Sequence, residues 1–516
     1  MRHPQSPVLL NRAGLKVVLV VLLLMSKETA KATASLSEPT AALPAMTSED
    51  PQIAKARRLV EAGDFTQARK ILDAAIASAT DNTKEEYAGL LDFMERIHWE
   101  YSLDERALLT KVRAAIPDAT ESEVSRWASE TKARYRIIDG TKFYFRREPR
   151  NIFLFSAEAK KRSEAASKAK PVGTWTLTNH LAEIIAEAER TGATEVMPVR
   201  HRLTHTVTIH SNHPALKPGA VVRAWLPFPQ AYRQQRDVRL ISSMPEPKLV
   251  APNAVDGNPV TAGSQRTIYF EQVITDAAQP VVFKEVVEFT SYAYYPKLDP
   301  AKVQPLPENW NGAYLAERPP HIVFPPDLRK EVGRIISNET NALTKAQKIF
   351  RWVSANIPWC AEDEYCIIPS FTMKGFTARR GDCGVQNTVF ISMCRVAGIP
   401  ARWQSGYETK PVEDNWGMHD WAEIYIAPWG WLPADASYGV KKSRDPRIAD
   451  FYCGHQDSYR FIVNLDWGRE LFPPKTSVRS EPADFQRGEV EVDGKNLYFN
   501  EWDDKTEVER ERITTP

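Results

Sequence analysis

Long apolar runs are scarce in this chain. Residues 17–25 form one, and no second stretch approaches the eighteen or so residues that a membrane span needs. A mature chain without that run is expected to be soluble. Cysteine is sparse as well, with five in 516 residues at positions 360, 366, 383, 394 and 453. None lies near the apolar run, which argues against a lipoprotein anchor. An odd count leaves at least one thiol free, and Cys360 and Cys366 stand close enough in sequence to bridge a short loop if the chain is exported. An excess of charge of one sign is missing too. Lys and Arg number 67 against 66 Asp and Glu, for a formal net charge of +1. Without a basic block interleaved with aromatics, nucleic acid is not an expected partner.

The start of the chain speaks to compartment. Arg2, Arg12 and Lys16 precede the apolar run, and Ala32, Thr33 and Ala34 follow it with small residues. A basic region, a short apolar region and small residues describe a secretory signal over 1–34, with an uncleaved anchor as the alternative. The mature protein is then secreted or periplasmic, with no membrane contact once the signal is gone. Removing those residues takes the formal charge to about −3.

Length calls for several domains of α+β type. After a linker at 35–50, residues 51–198 read as a helical domain. Ile53, Ala56, Leu59 and Val60 share one face, Gly63 and Asp64 make a turn, and Ala68, Ile71 and Leu72 share the next face, giving a helical hairpin. The hairpin resembles one tetratricopeptide unit, with no second copy. Helical patterns continue at 87–99, 121–133 and 177–189, the last closed by Gly192. Asp139-Gly140 between apolar runs marks a tight strand hairpin over 137–145. A packing role or a protein partner suits this domain. From residue 199 the period becomes two, and short runs with turn residues between them suggest a β-sandwich-like domain over 199–298. His201, His205, His210 and His213 crowd its start, and they are expected as solvent-facing strand residues, with no metal and no cofactor. Prolines stud 299–326, an extended connector over the surface. Residues 327–475 hold the catalytic core: a helix opened at Pro326 or Asp327, a second capped by Thr344, a long loop over 360–380, and the elements below. Residues 476–516 read as a hairpin and a loose tail.

Within that core, Cys383 follows Gly381-Asp382 and opens a helix that Gly398 closes. A thiol at a helix N-terminus lies near the positive end of the macrodipole, which favours the thiolate, and the same amides offer an oxyanion site. Gly384 keeps space open beside the sulfur, whereas Cys394, about three turns on, faces the core. His419 begins an alternating strand, and Asp435 ends the neighbouring one after the turn at Pro428-Trp429-Gly430. Antiparallel pairing puts the carboxylate beside the imidazole, where it fixes the tautomer. Either the Cys or the His alone is more often structural. Together, in this order, Cys383, His419 and Asp435 read as nucleophile, acid/base and orienting residue.

These residues also carry a resemblance. The segments Gly381-Asp382-Cys383, the helix running into Gly398-Ile399-Pro400-Ala401-Arg402, His419-Asp420-Trp421-Ala422-Glu423 and Trp431-Leu432-Pro433-Ala434-Asp435 resemble the transglutaminase-like superfamily of papain-fold enzymes. The resemblance is specific over 340–465. It implies the same roles for Cys383, His419 and Asp435 and a papain/transglutaminase-like catalytic core. Animal transglutaminases have a bulky residue where this chain has Gly384, and their acidic calcium loop has no counterpart here, so calcium activation is not implied. Trp359 and Trp421 are candidates for the walls of the substrate cleft, with core packing as the alternative. The superfamily holds proteases and amidases as well as crosslinking transferases, so the fold leaves the acyl acceptor open. The expected substrate is a peptide, protein or cell-wall amide, hydrolysed through a thioester. The alternatives are a protein-crosslinking transglutaminase and a non-catalytic scaffold.

Overall fold

A computed structural model of the chain describes residues 50–166, 175–254, 263–310, 312, 314–412 and 416–513. The expected signal at 1–34 and nearly all of the linker lie outside them. Among the described residues no helix is long and apolar enough to cross a membrane.

The chain opens with α1 (Pro51–Ala62), α2 (Phe65–Ser78) and α3 (Asp81–Glu100). Asp50 caps α1 and Gly63 ends it in the left-handed region, so the two-helix hairpin follows from its turn residues. Next come β1 (Tyr101–Leu103), α4 (Glu105–Arg113), α5 (Glu121–Glu130), the hairpin of β2 (Tyr135–Ile138) and β3 (Thr141–Phe145), α6 (Glu148–Phe155), α7 (Ala157–Ala166) and α8 (Leu177–Thr191).

Strands β4 (Glu195–Ile209), β5 (Val221–Pro227), β6 (Gln235–Met244), β7 (Leu249–Val250), β8 (Thr267–Val273) and β9 (Val281–Tyr294) follow. They do not form their two sheets alone. The chain returns through β14 (Glu489–Val492), β15 (Lys495–Leu497) and β16 (Asp503–Arg512). One sheet has the order β15-β14-β5-β8-β7 and the other β16-β4-β9-β6. The hairpin expected after 476 is there, but the charged segment behind it is no loose tail. It pairs antiparallel with β4 from Asp503↔Thr208 to Arg512↔Val199. Alternating charge on an edge strand hides it from a search for apolar runs.

The histidines of β4 correct another expectation. His201 and His205 are fully buried, because they share the inner face with Leu203 and Val207. His201 stacks on Phe289 and its Nε2 lies 2.7 Å from Thr409 Oγ1. His205 lies beside Glu285, 4.0 Å away across the ladder, and neither side chain has a hydrogen-bond partner among the described residues. His210 is exposed near Asp503, and His213 is half-buried near Glu501. No group of three or more candidate ligands gathers around a metal position among the described residues.

The connector is less superficial than its prolines suggest, since Tyr314, Ile322 and Phe324 are buried in the core. Helix α9 (Pro326–Ile336) opens at its proline. Helix α10 (Ala342–Asn356) starts ahead of Thr344, and its cap is Asn341, which accepts from the Thr344 N–H at 3.1 Å. The expected loop at 360–380 contains α11 (Phe371–Ala378), packed so closely on α12 (Cys383–Val396) that a Cβ at Gly375 would strike Val385 and Val389. Strands β10 (Ala401–Glu408), β11 (Gly417–Ile426), β12 (Gly430–Ala434) and β13 (Arg460–Asn464), with short α13 (Pro446–Ala449) between the last two, form an antiparallel sheet ordered β12-β11-β10-β13. Helix α12 is buried almost all round, its polar Gln386, Asn387, Thr388, Ser392 and Arg395 included. All five cysteines are free, so Cys360 and Cys366 are not bridged. Both are buried: Cys360 Sγ donates to Glu362 at 3.3 Å and Cys366 meets the Tyr498 hydroxyl at 3.4 Å.

Candidate active site

The first turn of α12 sets Cys383. Asp382 is its cap, accepting from the Val385 N–H at 3.1 Å, and Cys383 is the first helical residue. The helix lies against β11, whose register with β12 runs through Ala422↔Ala434. Asp435, one step past that pair, comes level with Trp421 and so reaches the face that Trp421 shares with His419. His419 Nε2 lies 2.7 Å from Asp435 Oδ2, and both side chains are buried. Arg460 donates to the same oxygen at 2.9 Å, while the Ser437 and Tyr438 N–H groups bond Oδ1. Burial alone would raise this carboxyl, but the contact with His419 and the charge of Arg460 outweigh it and hold Asp435 well below the usual carboxylate range.

Asn387 ties these parts together. Its Nδ2 donates to the carbonyls of Cys383 (3.0 Å) and Asp420 (2.9 Å), and its Oδ1 accepts from the Ala436 N–H at 2.9 Å. One amide on α12 thus fixes the nucleophile's turn, the residue after the imidazole and the residue after the carboxylate.

Cys383 and His419 line one cavity of about 680 Å³, together with Trp359, Tyr365, Lys410 and Lys441. The helical region forms part of its wall through Arg147 and Arg150, and Arg150 lies over the Trp359 ring. Of the two tryptophans expected in the walls, only Trp359 is there. Trp421 is fully buried behind His419, stacked on it at 5.9 Å, and its Nε1 donates to Gln404. Gly384 leaves no open space. Tyr365 and Trp403 occupy it, and a Cβ at Gly384 would strike the Tyr365 hydroxyl.

The thiol departs most from expectation. Its hydrogen bond goes to Asp420 Oδ2 at 3.3 Å, and among the described residues it makes none to His419. Burial first, then the charges of Asp420 and Asp382, push Cys383 well above the ordinary thiol range. The helix N-terminus acts the other way, yet its partial charge is smaller than those two carboxylates and the burial penalty. The contact with Asp420 and this balance both favour the thiol over the thiolate. Cys394 is buried in the core, as its spacing implied.

Tyr365 donates to Asp420 Oδ2 at 2.7 Å, and it stands at the end of an acidic loop gripped from the helical region. Arg134 meets Glu362 and Asp363 at 2.5 and 3.1 Å, Lys374 meets the same two residues, and Arg146 reaches Glu364 at 2.7 Å. Gln486, from the segment ahead of β14, donates to Asp420 Oδ1 at 3.1 Å. Asp420 itself was visible as the residue beside His419. Tyr365 and Gln486 sit too far away in sequence for any local pattern to mark them.

Residues 329–436 match the model of the transglutaminase-like superfamily. This segment belongs to that superfamily. A protein of Haemophilus influenzae is 28% identical over 145 residues, 23% of this chain and 38% of that relative, so the match spans well under half of its length. Among solved structures, a proposed cysteine protease from Cytophaga hutchinsonii is similar over 62% of this chain and 93% of that one, at 13% identity and a TM-score of 0.40. The periplasmic domain of TgpA from Pseudomonas aeruginosa is similar over 55% and 98%, at 13% identity and a TM-score of 0.24.

Proposed function

We propose that the chain is a cysteine acyl-transfer enzyme that hydrolyses peptide or amide bonds through a thioester on Cys383. The observation that carries this reading is the 2.7 Å contact of His419 with Asp435 at a cavity that Cys383 also lines. With Nε2 committed to the carboxylate, Nδ1 is the nitrogen left for the thiol.

The thiol proton passes to His419 Nδ1, and the sulfur bonds to the substrate carbonyl carbon. The carbonyl electron pair moves onto oxygen, beside the Cys383 N–H, which has no partner within the helix. As the carbonyl re-forms, the C–N bond breaks and His419 gives its proton to the departing amine, leaving a thioester. Water then attacks, its proton going to Nδ1. The C–S bond breaks, the carboxylic acid leaves and the proton returns to sulfur. Asp435 stays ionised throughout and holds the imidazolium.

Water is favoured over a lysine amine as acceptor by the secretory character of residues 1–34, which suits a peptide, protein or cell-wall amide substrate met outside the cytoplasm. The helical region serves as a wall of the cleft through Arg147 and Arg150.

The test is a peptide and muropeptide library digested with wild type, Cys383→Ala and His419→Ala. Cys383→Ala should abolish product release, and His419→Ala should lower kcat by about 10²- to 10⁴-fold. Product release that survives Cys383→Ala would sink the reading. Labelled amine entering protein faster than water cleaves the amide would make it a transferase.

A further inference from the structure

The cleft holds a second set of ionisable groups that the thioester chemistry does not use. Asp420 follows His419 on β11, so its side chain points to the opposite face, the side of Ala422 and Ile424 that packs on α12. There its Oδ2 accepts from the Cys383 thiol and from Tyr365, and its Oδ1 accepts from Gln486. The Asp420 backbone N–H also points at the sulfur.

Asp484 comes beside Asp420 through Ser405, which pairs with Asp420 across the β10–β11 ladder and bonds Asp484. Its Oδ1 is taken by Ser405 at 2.6 Å and Asn464 at 2.8 Å, while its buried Oδ2 has no other partner among the described residues. Two facing carboxyls in a buried site cannot both be ionised without a cation between them. Arg479, whose charge opposes the rise at Asp484, donates to the Asp484 backbone carbonyl rather than to its carboxylate. Asp382, the cap of α12, and Glu481, ahead of Asp484, are further acids at this spot and supply no cation. Burial first, then the charge of Asp484, raises Asp420 well above the carboxylate range, and burial raises Asp484.

We propose that Asp420 is a positioning residue for the nucleophile: it shares one proton with Asp484, and this carboxyl pair holds the resting Cys383 as a thiol and then steadies the thiolate once the thiol proton has moved to His419. No proton enters or leaves the pair. In the resting state the S–H donates to Oδ2. After its proton has gone to His419 Nδ1, the proton already held by the pair lies beside the sulfur as a donor. The idea rests on Cys383 being the nucleophile of the proposed hydrolysis, but it concerns the state of the sulfur rather than the substrate.

The pair makes the two aspartates act in opposite directions. In Asp420→Asn the negative charge is confined to Asp484 and an amide donor stands beside the sulfur. In Asp484→Asn the charge is confined to Asp420, in contact with the sulfur. The experiment is the rate of iodoacetamide addition to Cys383 against pH in the full chain, followed by peptide mass. Asp420→Asn should lower the midpoint by about one pH unit or more, and Asp484→Asn should raise it by a similar amount. Midpoints that stay put or move in the same direction, in variants with wild-type melting temperatures, overturn the pair. If either variant fails to fold, infrared difference spectra of wild type before and after alkylation decide. A protonated-carboxyl stretch that shifts on alkylation supports the shared proton, and its absence at neutral pH overturns it. Failure of hydrolysis is separable, because opposite midpoint shifts without amide cleavage would keep the pair and remove the proposed activity.

Discussion

Asn387 has no role in bond making, yet it holds three backbone positions of the site. Asn387→Leu keeps the approximate size and removes all three hydrogen bonds, leaving the Asp420 and Cys383 carbonyls and the Ala436 N–H without this partner. We expect a loss of about 1–3 kcal/mol in denaturant unfolding, and a fall in kcat larger than any rise in KM. A variant with wild-type stability and kcat would show that the amide merely fills space. The three residues proposed for the chemistry stand out in the sequence because each sits at a recognisable local place: Cys383 at a helix start, His419 near a strand start and Asp435 just past the strand that follows a tight turn. Their surroundings do not. Tyr365, Asp484 and Gln486 reach the sulfur's neighbourhood from segments with no periodic pattern, and the helix terminus turns out to be only one of several influences on the thiol. The macrodipole is a property of one helix, whereas burial and the Asp420 charge belong to the assembled site.

At the scale of elements, the acidic loop Glu362-Asp363-Glu364 is the main joint between the helical region and the core. Arg134 is buried against Glu362 and Asp363, and Glu148 lies 3.7 Å from its Nε. Removing one member of a buried ion cluster leaves uncompensated charge, so Arg134→Leu should cost about 3–5 kcal/mol in chemical denaturation. Because the loop ends in Tyr365, the same variant should also change the pH profile of Cys383 alkylation. Unchanged stability would mean that Lys374 alone neutralises the loop. Helices with capped ends and clear faces, such as α1 and α8, could be read from sequence, and so could the alternation of β4. Helix α11 escaped because it is only eight residues long with Gly375 inside it. Strand β16 escaped because its partner is β4 and its outer side is charged.

For the whole molecule, buried ionisable groups set the pH window of stability. Burial raises Asp382 to about 7 and Glu481 to about 8, whereas both types ionise near 4 when unfolded. The stability tied to their protonated forms is whole below about 4 and is lost as pH rises through 7 to 8. Burial also lowers His205, His321 and His455 to about 4 against about 6.5 unfolded. Their contribution is whole above about 6.5 and is lost as pH falls through 4. Between about 6.5 and 8 only the acids change, so the melting temperature should fall over that interval, and Glu481→Gln should flatten the fall. A melting temperature that rises from pH 6.5 to 8 would contradict this assignment. The sheet pairing carries a further consequence, for the order in which the protein is made. Strand β4 meets a partner synthesised about three hundred residues later, and Asp484 and Gln486 arrive on the same late segment. A nascent chain can display Cys383, His419 and Asp435 well before the sandwich closes or the thiol acquires its full setting. Synthesis order thus leaves the Cys383 thiol without the Asp484 and Gln486 surroundings until that late segment has been made.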